Sequence, residues 1–254
     1  MSYTIHYHQH DIIIIGSGGA GLMAAYQASM KGANVALLSK THPLQSHTVA
    51  AQGGINASLG HVEDDHWQYH MYDTISGSDW LADHDAVEVM CQEAASAIIE
   101  LEHLGVPFSR QNDGRLYQRR YGGQSTHFGQ GTVVHRACAV ADRTGHAILH
   151  TLYQRALERK VHIFAYHYAL QLIMDGTSRC HGVVTLDIET GDIHIFLAPS
   201  TLIATGGFSQ IYQTNTSSST CTGDGNALAL KAGLFLQDME LSNSIPLAFM
   251  GLAI

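Results

Sequence analysis

The sequence has 254 residues, of which 45% are hydrophobic and 14% are charged, and its formal net charge is −9 at pH 7. This composition predicts a folded globular chain, with room for one large domain or two ordinary ones. No run approaches the roughly 18 to 20 apolar residues that a membrane span needs. The negative charge and the lack of a Lys/Arg cluster argue against nucleic acid as a partner.

The cysteines and the N-terminus bear on the cellular compartment. The four cysteines are far apart and form no CxxC pair, which predicts free thiols in a reducing compartment: Cys91, Cys138, Cys180 and Cys221. Residues 1–10 contain neither an apolar signal core nor an arginine-rich amphipathic stretch. We therefore expect a bacterial cytoplasmic chain without a targeting segment.

A dinucleotide-binding βαβ unit is predicted near the N-terminus. Asp11–Ile15 is a short β-branched run typical of a buried parallel strand, Gly16–Gly21 matches G-x-G-x-x-G, and Leu22–Lys31 is a predicted helix. Asn34–Ser39 is the next predicted strand. In this motif the glycines allow a tight turn and close approach to a pyrophosphate, which the helix N-terminus faces. Ser39-Lys40 replaces the acid expected after the second strand, which disfavours NAD.

The middle of the chain reads as helix and loop. Residues 61–77 are polar and aromatic, and Asp83–Leu104 has apolar residues at helical spacing, which predicts a surface helix. Residues 113–131 are glycine-rich and predict a loop and a short hairpin. The arginines there would either contact an anion or remain solvated or paired with nearby acids: Arg115, Arg119 and Arg120.

The second half of the chain predicts one long helix and then strands. The helix is predicted over His146–Arg159. Consecutive strands with turns at residues 175–176 and 190–191 predict a β-meander: Val161–Phe164, Tyr168–Met174, Cys180–Ile188 and Ile193–Phe196. Another buried strand, Thr201–Gly207, precedes a helix that runs from Thr222–Gly225 to Ala232 and offers a second N-terminus to a cofactor.

Several blocks, in the same order from residue 11 to about residue 240, resemble the flavoprotein subunit of succinate dehydrogenase, of the succinate dehydrogenase/fumarate reductase FAD-binding family. The blocks are Gly16–Gly21, Leu38–Lys40, Ser46–Gly54, His70–Thr74, Tyr117–Arg119, Gly122–Ser125, Asp142–His146, Ala204–Gly207 and Thr222–Gly225. Together they are far more specific than a glycine-rich turn alone.

The resemblance implies FAD, attached covalently through the histidine of the S-H-T sequence, which is His47 here. A histidine nucleophile can add to the flavin methyl group, and the link raises the flavin potential. The implied cofactor-binding residues are Gly16, Ser17, Gly18, Gly19, Ala20, Gly21, Ser39, Lys40, Ser46, His47, Thr48, Gln52, Gly53, Gly54 and Asp224, the last as an adenosine contact. No catalytic residue is predicted in this chain.

The resemblance also implies an activity and partners. In the family, succinate is oxidised to fumarate, and electrons pass to an iron–sulfur subunit and then to quinone in membrane anchor subunits. The implied substrate is a small dicarboxylate, and the implied location is the cytoplasmic side of a bacterial inner membrane, as a peripheral protein. The other histidines show no recurrent metal spacing on a helix face, so we predict no metal site.

Three functions remain open at this point. The first is a part of succinate dehydrogenase that is inactive alone; the second is a soluble enzyme like aspartate oxidase, which binds FAD without the covalent histidine. The third is a non-catalytic flavin-binding or interaction protein. Gln52, where fumarate reductases more often carry Glu, favours the dehydrogenase, as do Tyr117–Arg119 and Asp142–His146. Gln45 departs from the family, which usually has arginine before S-H-T.

The resemblance stops near residue 241, where the family continues with Q-F-H-P-T-G-I-Y-G-A-G. Permitted codons for residues 242–254, regrouped from the last base of the first codon, translate into that segment, which predicts a reading-frame shift. We expect residues 1–240 to be the N-terminal part of an FAD-binding domain and residues 241–254 to be an aberrant tail. The predicted fold class is α/β, a Rossmann-like FAD-binding domain with an appended β-meander, truncated before the capping domain.

The truncation carries an expectation about activity. In the family, the substrate-binding histidine and threonine, the proton-transferring arginine and the capping domain all lie beyond residue 241. Without a cap there is no dry site, and without the arginine there is no proton acceptor. We therefore expect no dehydrogenation by this chain alone, even with FAD bound.

Overall fold

A computed structural model of the chain describes residues 3–239, which divide into two compact units. The first unit contains residues 3–50 and 149–239, and the second contains residues 51–148. The helices are α1 (Gly19–Met30), α2 (Trp67–Gly77), α3 (His84–Leu104), α4 (Thr144–Glu158) and α5 (Asp224–Lys231). The strands are β1 (Ile5–Gln9), β2 (Ile12–Ile15), β3 (Val35–Leu38), β4 (Ile55–Asn56), β5 (Gln118–Ser125), β6 (Val133–Cys138), β7 (His162–Phe164), β8 (His167–Met174), β9 (Cys180–Asp187), β10 (Ile193–Leu197) and β11 (Ser200–Ile203).

The first unit contains the predicted βαβ arrangement. Strands β2 and β3 pair in parallel, with Ile12 opposite Val35, and lie inside a four-stranded parallel sheet of order β11-β2-β3-β7. Helix α1 connects the two inner strands, as the sequence predicts. Their β-branched and leucine side chains are almost all buried, which is typical of a parallel strand covered on both faces. The predicted α/β fold class is confirmed.

Strand β7 corrects one detail of the predicted meander. The sequence placed Val161–Phe164 with the following strands, but Ala36 to Leu38 of β3 pair in parallel with His162 to Phe164. The strand therefore closes the edge of the parallel sheet. A strand of three residues is too short for its pattern of apolar residues to show which of the two sheets it joins.

A second sheet of the first unit contains the meander. Strands β8, β9 and β10 pair antiparallel in succession, with turns at the predicted positions. The N-terminal strand β1 adds to this sheet in parallel with β10, with Ile5 opposite Ile193. The sequence did not predict this strand, because its histidines weaken the apolar alternation that identifies a strand.

The second unit combines two helices with a three-stranded antiparallel sheet of order β4-β6-β5. Helix α3 is confirmed, and the Asp83 carboxylate caps it by accepting hydrogen bonds from the amides of Asp85 and Ala86. Gly105 ends the helix in the left-handed region, at φ 109°. Helix α2 falls in the polar, aromatic stretch for which no helix was predicted.

The strand predicted over Thr201–Gly207 is shorter, spanning Ser200–Ile203, and it is partly exposed rather than buried. Helices α4 and α5 begin within two residues of the predicted positions, and all four cysteines are free thiols. Residues 144–148 of α4 belong to the second unit and the rest of the helix to the first. The predicted tail at residues 241–254, with its frame shift, lies outside the described residues and stays a prediction.

Candidate functional site

The glycine-rich turn between β2 and α1 brings the backbone very close to itself. Gly16 has φ +112°, and a Cβ there would lie 2.2 Å from the carbonyl oxygen of Ala204. A Cβ on Gly21 would lie 1.8 Å from the carbonyl oxygen of Gly16. At Gly18, by contrast, the nearest atom would be Thr48 Oγ1, at an ordinary 3.4 Å. Close packing of the chain thus requires glycine at positions 16 and 21, whereas Gly18 leaves space beside the turn.

The N-terminus of α1 can interact with an anion. Gly18 is its N-cap and provides no side-chain cap, and the first turn contains no acidic residue. The amide of Gly19 donates to Thr48 Oγ1 at 3.0 Å, and Ala20 is exposed. A helix N-terminus carries a partial positive charge and amides that lack partners within the helix. This end of the twelve-residue helix therefore suits a pyrophosphate.

The segment that contains His47 folds as two short 3₁₀ turns, Pro43–Gln45 and His47–Ala50. Between them, Ser46 Oγ is buried and has no hydrogen-bond partner. This hydroxyl lies 3.8 Å from the position that a Cβ on Gly18 would occupy. A buried polar atom without a partner costs about 1 to 3 kcal/mol. A polar group of a cofactor held at the glycine turn would supply that partner, so the residues fit a dinucleotide.

His47 has a defined hydrogen bond and protonation state. Its Nδ1 accepts from the backbone amide of Ser218 at 3.1 Å. The ring is half-buried, and burial lowers its pKa below the usual value near 6.5. The imidazole is therefore neutral at pH 7, and because Nδ1 is the acceptor, the ring proton is on Nε2.

The predicted residues at the end of β3 meet the N-terminus of α5. The Lys40 ammonium donates to Asp224 Oδ2 at 2.5 Å, and Thr222 Oγ1 donates to Asp224 Oδ1 at 2.9 Å. Ser39 Oγ lies 2.6 Å from Ser17 Oγ, which ties the strand end to the glycine turn. An acid thus lies beside the end of the second strand of the βαβ unit, although it comes from a different element, 184 residues from Lys40.

Gln52, Gly53 and Gly54 belong to the second unit, where Arg119 holds them. The Arg119 guanidinium donates to the carbonyl oxygens of Gly53 at 2.8 Å and Gln52 at 2.7 Å. Gly54 has φ +124°, and a Cβ there would lie 2.6 Å from the carbonyl oxygen of Cys138. Gln52 itself is exposed. Arg119 therefore positions the backbone of a predicted cofactor-binding segment.

The sequence left open whether the arginines of residues 113–131 contact an anion or pair with nearby acids, and the structure shows the partners of two of them. Arg119 also donates to Asp142 Oδ1 at 3.2 Å, and Arg115 donates to Asp113 Oδ2 at 2.7 Å. Both guanidinium groups are thus paired with acids or carbonyl groups, which was the alternative to an anion contact.

Sequence reasoning missed two contacts of the site. Ser218 donates to His47 from a serine- and threonine-rich stretch without a recognisable motif, and the Tyr168 hydroxyl donates to Asp224 Oδ1 at 3.4 Å. Both partners are more than 50 residues away in the sequence. No local pattern in the sequence could have identified them.

Relatives with known names resemble the chain along most of its length. It is 53% identical over 239 residues to the succinate dehydrogenase flavoprotein subunit of Rickettsia bellii, with 94% of this chain and 40% of that protein covered. It is 51% identical over 250 residues to the mitochondrial succinate dehydrogenase [ubiquinone] flavoprotein subunit of Oryza sativa, with 98% of this chain and 40% of that protein covered. The chain thus spans about 40% of the length of these relatives.

Solved structures share the fold. The Mycobacterium smegmatis Sdh1 complex in the apo form aligns with a TM-score of 0.82 and 35% identity, over 89% of this chain and 39% of that chain. Among the described residues, we find no helix that is both long and apolar enough to cross a membrane. Residues 11–253 match the family described as the FAD binding domain. Since that match covers nearly the whole sequence, the chain belongs to the FAD binding domain family.

Proposed function

We propose that the chain forms the flavin-binding part of a succinate dehydrogenase flavoprotein subunit and carries FAD covalently on His47. The observation that carries the proposal is the hydrogen bond from the Gly19 amide to Thr48 Oγ1. It holds the residue after His47 at the first turn of α1, where a dinucleotide pyrophosphate is expected. The family membership and the similarity to succinate dehydrogenase flavoprotein subunits support this assignment.

The proposed roles follow the contacts of each residue. The turn Gly16–Gly21 and the α1 N-terminus would hold the pyrophosphate, and the orphan hydroxyl of Ser46 would hydrogen-bond the cofactor. Asp224 would accept from the adenosine ribose while Lys40 compensates its charge. In the second unit, Gln52, Gly53 and Gly54 would contact the cofactor with a backbone held by Arg119. When bound, FAD supplies the two-electron redox chemistry.

The hydrogen bond of His47 favours attachment through Nε2. With Nδ1 accepting from Ser218, Nε2 is the ring nitrogen left to hold the flavin methyl carbon, and it would do so once its proton has been removed. Attachment would release two protons, one from Nε2 and one from the methyl group, and two electrons, for which dioxygen would be the final acceptor. The attached imidazole would keep its lone pair on Nδ1, so the Ser218 contact would be the same before and after attachment.

The wider function is proposed by similarity. We propose that the complete assembly oxidises succinate to fumarate and passes electrons to an iron–sulfur subunit and then to quinone in membrane anchor subunits. Its flavoprotein would lie peripherally on the cytoplasmic side of a bacterial inner membrane. The resemblance of the solved Mycobacterium smegmatis Sdh1 complex supports partner subunits.

Acid denaturation tests the covalent claim. The purified 254-residue chain, loaded with FAD and precipitated in acid, is expected to retain flavin absorbance near 450 nm in the pellet. His47→Ser should release the flavin into the supernatant, whereas His103→Gln, an exposed histidine of α3, should behave like the wild type. Free flavin from the wild type would contradict covalent attachment and favour an aspartate-oxidase-like protein. Absence of any bound flavin would contradict the assignment of the cofactor site.

A further inference from the structure

One face of the β1-β10-β9-β8 sheet in the first unit is lined with histidines. Residues 6, 8 and 10 alternate along the chain at β1, so their side chains share a face. Strand register places His6 opposite His194 of β10, and His167 of β8 opposite Asp187 of β9. Thr185 of β9 lies between them, opposite both His194 and Ala169. Four strands thus bring metal-ligating side chains to the same patch.

Three of these side chains have the spacing of a metal site. His167, Asp187 and His194 each offer one ligand atom, and these atoms all lie within 4.8 Å of one another. His167 Nε2 and His194 Nδ1 are 3.4 Å apart. Two ligands at about 2.0 Å from a tetrahedral zinc ion are about 3.3 Å apart. The two imidazoles are therefore already at the separation that a shared ion requires.

Hydrogen bonds outside the cluster fix two of these ligands. His167 Nδ1 donates to the carbonyl oxygen of Ala165 at 2.8 Å, which leaves the lone pair on Nε2, the atom that faces His194. Asp187 Oδ1 accepts from the amides of Glu189 at 2.9 Å and Thr190 at 3.3 Å. Ligands of protein metal sites are commonly oriented by such outer hydrogen bonds, with histidine donating its other N–H to a carbonyl.

His8 lies beside this cluster. Its Nε2 lies 2.9 Å from His194 Nδ1, and its ring stacks on Phe196 with centroids 4.4 Å apart. His8 therefore borders the three-residue group formed by His167, Asp187 and His194.

We propose that this cluster is a binding site for a divalent transition metal ion, with Zn²⁺ as its best match. The ligands are His167 Nε2, His194 Nδ1 and a carboxylate oxygen of Asp187. Two imidazoles and one carboxylate suit zinc and disfavour magnesium and calcium, which prefer oxygen ligands. Three protein ligands from β8, β9 and β10 leave the fourth tetrahedral position to a water molecule or another ligand. The proposal is independent of the proposed flavin site.

Zinc titration of the metal-free chain tests the proposal. We expect isothermal titration calorimetry, after dialysis against a chelator, to give one Zn²⁺ per chain. His194→Gln and the isosteric Asp187→Asn should each weaken binding at least tenfold. His181→Gln is the matched control, because His181 lies on β9 of the same sheet but pairs with Asp175 instead. No binding, or equal binding by all four proteins, would overturn the proposal.

X-ray absorption on the zinc-loaded wild-type chain identifies the ligands without a substitution. The spectrum should show only nitrogen and oxygen neighbours near 2.0 Å, with the outer-shell scattering of imidazole rings. A sulfur neighbour near 2.3 Å would assign the ion to a cysteine and overturn the proposal. This measurement decides the question even if the histidine variant fails to fold.

Discussion

In the parallel sheet of the first unit, the inner strands are apolar on both faces, and Ile13, Ala36 and Leu37 are fully buried. In the sheet of the second unit, the largest fully buried side chain is a guanidinium, that of Arg136. Apolar burial stabilises the first region by roughly 1.5 to 3 kcal/mol per large side chain. A buried charge stabilises nothing unless its partners compensate the loss of water. We therefore expect the first region to lose stability when its apolar packing is disturbed, and the second when its charge pairing is broken.

The Arg136 network shows how the second unit compensates its charge. Nε and Nη2 donate to the two oxygens of Asp65 at 2.9 and 2.8 Å, and Nη1 donates to Asp73 Oδ2 at 2.6 Å. Nη2 also donates to the carbonyl oxygen of Ser125 at 2.9 Å. The bidentate pair links β6 to the segment before α2, and the second carboxylate belongs to α2 itself. Charge pairing therefore connects β6 to α2 and to the segment that precedes it.

Removal of the buried cation should produce the largest effect. Arg136→Met leaves two buried carboxylates, and we expect a loss of about 3 to 5 kcal/mol in the free energy of unfolding of the second unit. Both tryptophans, Trp67 and Trp80, lie in this unit, so urea unfolding followed by tryptophan fluorescence measures it. Arg115→Met, which breaks an exposed pair, should cost less than about 1 kcal/mol. Equal losses would contradict the distinction between buried and exposed pairs.

An added methyl group should damage the first unit instead. Gly21→Ala places a Cβ 1.8 Å from a backbone oxygen, so the chain must shift, at a cost of about 1 to 3 kcal/mol. Amide hydrogen exchange of β2 and β3 should become faster by a corresponding factor. Gly176→Ala is the control, because a Cβ there meets nothing within 4 Å. Unchanged exchange in Gly21→Ala would show that the turn is not closely packed.

A buried histidine of the second unit should make its stability depend on pH. Burial and the charge of Arg136 lower the pKa of His70 to about 4, against the opposite effects of Asp65 and Asp73. The unfolded chain, with a pKa near 6.5, binds the proton first, so stability is full above pH 6.5 and falls as the pH decreases toward 4. We expect this residue to contribute a loss of about 2 kcal/mol between pH 7 and pH 5.

The His70→Gln variant isolates that contribution. Its urea midpoint, measured by tryptophan fluorescence, should fall less between pH 7 and pH 5 than that of the wild type. The exposed His103→Gln variant should retain the full wild-type loss. If His70→Gln shows the same pH dependence as the wild type, the buried imidazole does not become protonated on unfolding.

The smallest expected effect concerns a helix cap. Asp83→Ala removes the acceptor for the amides of Asp85 and Ala86, and should destabilise α3 by about 1 kcal/mol. Asp83→Ser, which keeps a capping oxygen, should restore most of the loss in the same fluorescence experiment. If Asp83→Ser destabilises the protein as much as Asp83→Ala does, the stabilisation by Asp83 comes from its charge rather than from its hydrogen bonds.

Local patterns in the sequence predicted the elements that place the candidate site. The βαβ unit follows from a β-branched run, a glycine turn and an alanine-rich helix, all within 29 residues at 11–39. Helix α3 follows from Asp83 at its N-cap and Gly105 at its end. Helix α2 was not predicted because its aromatic and polar residues show weak periodicity, and only the tertiary fold shows that His70 and Ile75 are its buried residues.

The sequence by itself determined the α/β class, the glycine turn, the free cysteines and the S-H-T segment, since each depends on residue type or on neighbours within a few turns of chain. Only the tertiary structure decided which distant groups meet: Asp224 beside Lys40, Ser218 beside His47, and His167, Asp187 and His194 on one face. The physical reason is that a hydrogen bond or a shared metal ligand depends on separation in space. Strand pairing sets that separation, and strand pairing joins residues such as Ile5 and Ile193 that no local pattern relates.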